Sequence, residues 1–504
     1  MPNILFDAFL KGRSDGCATL MHYPDGSSLD DQDFFALASR FAHVLVDAGI
    51  QPGDRVMVQI EKSAANFALY VAAVQAGAVF IPLNTGYTAN ELEYFVDNAA
   101  PILLVLDPAN VDAAQELITR TGVKVHTLDA DGGGSLMDKA QGMASSFDTV
   151  ARDADDLAAI LYTSGTTGRS KGAMLSHKNL LSNAEVLVNY WQFTKDDVLL
   201  HALPIFHTHG LFVAGNTILL SGSSMIWLQK FTVDAVLEQL ARATTMMGVP
   251  TFYTRLLRDA RFSADKARHM RLFISGSAPM LAETHIEFEQ RTGLKVLERY
   301  GMTETNMNTS NPYAGERISG SVGLPLPGVS ARVMNMDTNA VCDAEEVGML
   351  QVKGDNVFAG YWQMSEKTRE EFTDDGFFIT GDLATISDNG YYTIVGRGKD
   401  LIISGGYNVY PKEVELVLDD IDGVVESAVI GAPHPDFGEA VVGVLVLEEG
   451  VTIDEKSVLE KISESLARFK QPKCLKVLDE LPRNAMGKVQ KNELRDTFGD
   501  EFSS

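Results

Sequence analysis

Cysteine is scarce, with three residues in 504, at positions 17, 342 and 474, and no paired spacing among them. That argues against a disulfide framework and a thiolate zinc site, and it suits a reducing compartment, so a cytoplasmic location is expected. Positive charge is also short. Lys and Arg number 42 against 68 Asp and Glu, a net of -26. Such a balance repels nucleic acid and anionic membrane surfaces, and any polyanionic substrate must be met by cations placed locally. Long apolar runs are missing as well. The most apolar stretch, 67–83, contains Gln75, Gly77 and Pro82 and reads as helix, turn and strand, with no membrane span. Asp7 and Lys11 interrupt Ile4-Leu5-Phe6, so no signal peptide is expected. No repeat at solenoid spacing is present.

Material for a core is ample: 45% of residues are hydrophobic and 22% charged, the balance of an ordinary soluble enzyme. The length exceeds what one core accommodates, so more than one domain is expected. From 55 to 106 strand-like segments (56–60, 78–81, 102–106) alternate with helix-like ones (64–75, 90–98), the rhythm of a parallel sheet with crossover helices. A long loop is expected over 130–155. A helix near 178–191 leads to a second alternating region, with strands at 198–203, 245–248 and 272–275 and helices at 233–242 and 281–292. Short strands between Gly, Pro and Asp turns predict a small all-β part over about 321–396. Residues 399–504 read as a compact α+β domain, with helices at 411–420 and 453–469 and strands at 425–430 and 441–447.

The most informative stretch is Tyr162-Thr163-Ser164-Gly165-Thr166-Thr167-Gly168-Arg169-Ser170-Lys171-Gly172, directly after the apolar run Leu157 to Leu161. Glycines let backbone N–H groups approach an anion, hydroxyls add donors and Lys171 adds a point charge, so a strand-borne phosphate cradle is predicted. The spacing is not that of the common P-loop; a Gly/Ser/Thr-rich linker has a similar composition. Glu298-Arg299-Tyr300-Gly301-Met302-Thr303-Glu304 follows another strand-like run and could offer a carboxylate to magnesium on phosphates, or be an ordinary loop. Asp382 in Thr380-Gly381-Asp382 could accept two ribose hydroxyls, and Arg397 between glycines could grip ribose or phosphate oxygens; turns also enrich such residues. Lys488, after Gly487, could neutralise charge developing at phosphorus or simply be solvated.

Taken together and in order, these motifs resemble the AMP-forming adenylating enzymes, the superfamily of acyl-CoA synthetases, firefly luciferase and peptide-synthetase adenylation units. The resemblance covers roughly residues 30–500 and includes Gly405-Gly406-Tyr407 to Glu413 and Asn484 to Lys488. One departure is Ser170, where the family usually has proline before the loop lysine. The resemblance implies an α/β fold: a large N-terminal domain (1–398) of two αβ layers plus a small β-barrel (about 321–396), hinged at Lys399 to a small α+β C-terminal domain (399–504). It implies that Thr163, Ser164, Gly165, Thr166, Thr167, Gly168 and Lys171 hold the triphosphate, with Glu298, Tyr300, Gly301 and Thr303 around the nucleotide and Tyr300 flanking adenine. Asp382 and Arg397 would hold the ribose. Glu304 with Thr163 would serve Mg2+. Catalysis would fall to Lys488, Lys171, Glu304 and His207, and coenzyme A to Ser404, Gly405, Gly406, Phe437 and Lys470.

The implied reaction is attack of a carboxylate on the α-phosphorus of ATP, then transfer of the acyl group to the thiol of coenzyme A. For the acid, Val249 to Leu257 and Tyr300 to Arg317 resemble the malonyl-CoA synthetase group, which acts on malonate and methylmalonate. Arg255 would take the second carboxylate, with His207, Ser277 and Met307 around it and Met307 capping a short pocket. Arg255 facing solvent would instead favour a short-chain monocarboxylate or aryl-acid CoA ligase. A stand-alone enzyme loading a carrier protein, and an inactive nucleotide-binding protein, are further alternatives. Lys488 is also a candidate for acetylation, with an acetyltransferase and deacetylase as partners. No nucleic-acid or membrane partner is expected.

Overall fold

The computed structural model describes residues 3–13, 18–163, 170–405, 407–484 and 487–502. Cys17, Ser164, Gly165, Thr166, Thr167, Gly168, Arg169 and Gly406 therefore lie outside the described residues. The chain divides into two compact units. The larger comprises Met1–Gly276, Met280–Ser330 and Val352–Phe378, and the smaller Ser277–Pro279, Ala331–Gln351 and Ile379–Ser504. Where the sequence places a boundary at 398/399, compactness groups 331–351 and 379–398 with the C-terminal residues. Polar contacts inside the smaller unit, such as Arg495 Nη2 to Asp400 Oδ1 (2.7 Å), help to hold it together.

The larger unit holds two sheets. One has six strands in the order Lys124–Thr127, Leu103–Leu106, Arg55–Gln59, Val79–Pro82, Leu157–Thr163 and Lys171–Ser176, parallel except for the last pair. Strands covered on both faces must be apolar throughout, and Val79–Pro82 and Leu103–Leu106 are buried at every residue. The crossover helix Ala64–Gln75 is apolar nearly all round and buried from Ala65 to Gln75, with Ser63 capping it by accepting from Asn66 N–H.

The other sheet has nine strands. Six of them, Leu297–Met302, Leu272–Ser275, Thr245–Gly248, Val198–His201, Ser224–Trp227 and Thr19–His22, run parallel, with antiparallel additions at both edges. Tyr253, Phe262, Phe273 and Phe288 pack one side of its core. Ligands of parallel sheets collect beyond the carboxyl ends of the strands, and Thr163, His201, Gly248 and Ser275 stand there, each the last residue of its strand.

In the smaller unit the part expected as a small barrel forms most of a four-stranded sheet in the order Ser330–Met334, Gly348–Lys353, Phe378–Ile386 and Tyr392–Arg397. A five-stranded sheet follows, built on the long antiparallel pair Val424–His434 and Gly438–Leu447. Helices Pro411–Asp419 and Glu455–Ser465 bury Val414, Leu418, Val458 and Ile462 in one core, while Leu494 of Lys491–Phe498 belongs to another. The expected loop at 130–155 contains a short helix, Ser135–Ala140, with Leu136 and Ala140 buried four residues apart; six residues after a glycine run give too little periodicity to detect. No helix among the described residues is long and apolar enough to cross a membrane.

Arg13 and Asp31 form a buried ion pair, and Arg13 Nη1 also donates to the carbonyls of Ile218 (3.2 Å) and Ser223 (2.7 Å). Arg13→Met leaves the Asp31 charge buried without its partner and should cost about 3–5 kcal/mol in equilibrium urea unfolding. A loss below about 1 kcal/mol would contradict this reading of the pair.

Candidate active site

In the larger unit, Thr163 and Lys171 are register partners across an antiparallel pair, which fixes both ends of the hydroxyl-rich loop. Thr163 Oγ1 lies 3.5 Å from Glu304 Oε1, and the buried Glu304 accepts from the Tyr361 hydroxyl at 3.0 Å. Lys171 is buried, with Nζ 3.1 Å from Glu371 Oε1 and 4.0 Å from the Tyr361 ring centre. Burial alone would raise the Glu371 carboxyl, but the Tyr361 hydroxyl and Lys171 hold it below the usual range. Among the described residues no group of three or more His, Cys, Asp or Glu could hold a metal. One buried carboxylate beside a hydroxyl suits magnesium, a hard cation that can complete its shell with phosphate oxygens and water.

Tyr300 is half-buried on the strand Leu297–Met302, and Thr303 is buried just beyond it. Gly301 is pressed against Asn306. Glu298 is 3% exposed, and each carboxylate oxygen has a partner within the protein, Oε1 accepting from Met280 N–H (3.0 Å) and Oε2 lying 2.9 Å from His285 Nε2. It closes a buried polar contact that ties its strand to Met280 and His285. Its position one residue into a buried parallel strand accounts for this.

Near the acyl segments, His207 is half-buried and His209 is fully buried. Burial first, then the charges of Arg299 and His207, lower the His209 pKa well below its ordinary value. The backbone from 209 onward is a π-helix, His209–Asn216, wound with i→i+5 hydrogen bonds, a form that recurs at functional sites. His201 holds it by Nε2, 2.9 Å from the Gly210 carbonyl, while Lys62 Nζ approaches His201 Nδ1 at 2.8 Å. With Lys62 donating, the His201 proton must sit on Nε2. A Cβ on Gly210 would stand 2.0 Å from the Pro204 carbonyl oxygen, so this close approach requires glycine. Met307 is buried, its backbone fixed by both polar atoms of the Asn183 side chain (3.2 and 2.9 Å). Ser277 adopts a left-handed backbone, φ 73°. Arg255 is exposed on the helix Pro250–Leu257, whose buried face is Tyr253, Leu256 and Leu257.

Arg299, two residues after the start of its strand, was not singled out from the sequence as a site residue. It is 2% exposed, and its Nε and Nη2 find no acceptor among the described residues. Burial lowers its pKa to about 9. A Cβ on Gly276 would stand 2.4 Å from the guanidinium carbon, so the sequence Ser275-Gly276 makes the space that the arginine fills. The signal was present: an arginine inside a run that must be buried on both faces needs an anion or acceptors.

The smaller unit gathers a second set. Asp382 Oδ1 and Arg397 Nε pair at 2.8 Å, and Arg397 Nη1 donates to the Thr380 carbonyl at 3.1 Å. Lys488 is exposed on its surface but crowded by protein, which lowers its pKa; Arg397 and Lys399 add to the lowering, and Asp382 and Asp400 oppose it. Lys399 is exposed in the turn Gly398–Asp400. Ser404 is buried, Gly405 N–H donates to the Phe437 carbonyl at 2.8 Å, and Phe437 is partly exposed beside them. Lys470 is committed to an ion pair with Glu413, whereas Lys473 Nζ stands 5.5 Å from the Phe437 ring centre. The structure therefore gathers Ser404, Gly405 and Phe437, and occupies Lys470 elsewhere.

Family models match residues 13–362 as AMP-binding enzyme and 413–488 as AMP-binding enzyme C-terminal domain. The chain is 34% identical over 482 residues to a malonate–CoA ligase of Arabidopsis thaliana, covering 89% of this chain and 78% of that one. It is also 34% identical to a feruloyl-CoA synthase of an Amycolatopsis species, covering 94% and 95%. Among solved structures it resembles ATP-bound MatB from Rhodopseudomonas palustris with TM-score 0.98 and 56% identity over all of both chains.

Glu298→Gln should lower stability by about 1–3 kcal/mol and leave the KM for ATP within about twofold of wild type. A large rise in that KM at unchanged stability would place Glu298 at the nucleotide.

Proposed function

The chain belongs to the AMP-binding enzyme family, and on that premise we propose that it joins malonate, and methylmalonate, to coenzyme A through an acyl-adenylate, releasing AMP and pyrophosphate. The observation that carries the choice of acid is Arg299, a buried guanidinium whose Nε and Nη2 lack acceptors among the described residues. A buried arginine of this kind is costly unless an anion completes it, and a second carboxylate on the substrate would do so in bidentate fashion. The identity to malonate–CoA ligase and to MatB supports the same reading. Arg255 would be the outer partner of that carboxylate, with His207 and Ser277 lining the site and Met307 limiting its depth.

In the first half-reaction the acid's reacting carboxylate oxygen attacks the α-phosphorus, so an anion must approach a polyanion. Lys171 screens the phosphates, and Lys488 bridges the carboxylate and the α-phosphate, where charge develops. Tyr300 flanks adenine, and Asp382 and Arg397 hold the ribose. Glu304 and the Thr163 hydroxyl would hold Mg2+, which supplies charge neutralisation on the phosphates. In the second half, residues 399–504 would turn about Lys399, withdrawing Lys488 and presenting Ser404-Gly405 and Phe437 to the thiol. The lowered pKa of Lys488 makes its amine a better nucleophile toward acetyl donors near neutral pH, and we include reversible acetylation there in the proposal. The scarcity of cysteine supports a cytoplasmic setting.

One observation favours a monocarboxylate or aryl acid instead: Arg255 is exposed, like Arg258 beside it, and a feruloyl-CoA synthase is among the relatives. Exposure, however, is also required of a residue that must first meet a soluble dianion.

Arg299→Ala and Arg255→Ala should each raise the KM for malonate more than about tenfold, the worth of one charge-assisted contact, while nucleotide affinity survives. Malonate turnover unchanged in both variants would refute the dicarboxylate reading. Stoichiometric acetylation of Lys488 should abolish pyrophosphate release, and an unaltered rate after that modification would remove Lys488 from the adenylation step.

A further inference from the structure

Tyr361 reaches both Glu371, the ion-pair partner of Lys171, and Glu304, and the proposed mechanism gives it no task. Its ring is 2% exposed and packs edge-on against Phe358 at 4.9 Å between centroids. Its hydroxyl lies 2.7 Å from Glu371 Oε2 and 3.0 Å from Glu304 Oε1. On the other oxygen of Glu371, Lys171 Nζ stands at 3.1 Å and Lys367 Nζ at 3.2 Å. A phenol has one proton to donate, so it can satisfy only one of the two carboxylates at a time. Glu371 has two lysines to neutralise it. Glu304 Oε1 lies within reach of the hydroxyls of Thr163 and Tyr361. With Glu371 already neutralised by its two lysines, the phenolic proton serves Glu304.

We propose that Tyr361 is a positioning residue for the magnesium-bearing carboxylate: anchored by Glu371, its hydroxyl holds Glu304 in the orientation that receives Mg2+ with the nucleotide. The proposal rests on the nucleotide half of the reading above and is independent of which acid is activated. It assigns Glu371 a dual task, aiming Lys171 at the phosphates through one oxygen and fixing Tyr361 through the other.

The test is equilibrium binding of α,β-methylene-ATP to the full chain and to Tyr361→Phe, each with excess Mg2+ and with EDTA. Phenylalanine keeps the contact with Phe358, and a melting temperature near that of wild type checks the fold. The expected result is an affinity loss of about fivefold or more with Mg2+ and a change of less than about twofold without it. Equal losses with and without the metal, or no loss in either case, would overturn the proposal, because a merely structural tyrosine has no reason to distinguish the two conditions. If Tyr361→Phe does not fold, the double variant Tyr361→Phe/Glu371→Gln, which removes one stranded charge, is compared with Glu371→Gln by the same measurement and the same criteria. An acid panel that excluded malonate would leave these outcomes unaffected, so failure of the substrate assignment and failure of this inference remain distinguishable.

Discussion

An anion has to reach the phosphorus of a polyanion inside a chain whose own net charge is -26. The organisation of the site follows from that constraint. Surface charge cannot help, since the average field repels both reactants; the attraction must come from single cations held at fixed points in low dielectric. In the larger unit Lys171 is buried and paired with Glu371, and Arg299 is buried with Nε and Nη2 lacking acceptors among the described residues. Within the smaller unit Lys488 stands among the charges of Arg397, Lys399, Asp382 and Asp400. Each lysine or arginine is held by carboxylates or enclosed by small residues, which keeps a desolvated charge from collapsing onto the wrong partner.

Parallel sheets give such groups a common place. Strands covered on both faces are short and apolar, and chemistry begins where they end. Thr163, His201, Gly248 and Ser275 end their strands, and side chains proposed for the site follow within a few residues. Close backbone approaches then set the detail: Gly276 leaves room for the Arg299 guanidinium, and Gly210 lets the π-helix at His209–Asn216 lie against the Pro204 carbonyl. Neither glycine is needed for a turn of positive φ. Both are needed because another group occupies the place of a Cβ.

Much of this architecture is legible in the amino-acid sequence. Thr245–Gly248 and Leu272–Ser275 form as read, and Ala64–Gln75 begins and ends where its apolar pattern does. The pairings Thr163–Glu304 and Asp382–Arg397 join residues first noticed as separate motifs. What escaped reading depends on tertiary partners. Glu298 follows a strand-like run in the sequence, which gives no sign that His285 and Met280, outside that motif, engage its two oxygens. Arg299 was hidden between two conspicuous neighbours, and its isolation is visible only once Gly276 is placed beside it. Tyr361 and Glu371 lie in no glycine-rich signature, and only the fold brings them to Lys171 and Glu304. The π-helix has no periodicity that a 3.6-residue search would detect.

The central claim is that this site activates a short dicarboxylate by adenylation. The most direct measurement is pyrophosphate release with ATP and Mg2+ across malonate, methylmalonate, acetate, butyrate and benzoate, each with and without coenzyme A. The account predicts that malonate and methylmalonate exceed the others in kcat/KM by about two orders of magnitude or more, which corresponds to roughly 3 kcal/mol of discrimination by the second carboxylate. Preference for butyrate or benzoate would leave adenylation standing and contradict the assignment of Arg299 and Arg255 to a second carboxylate.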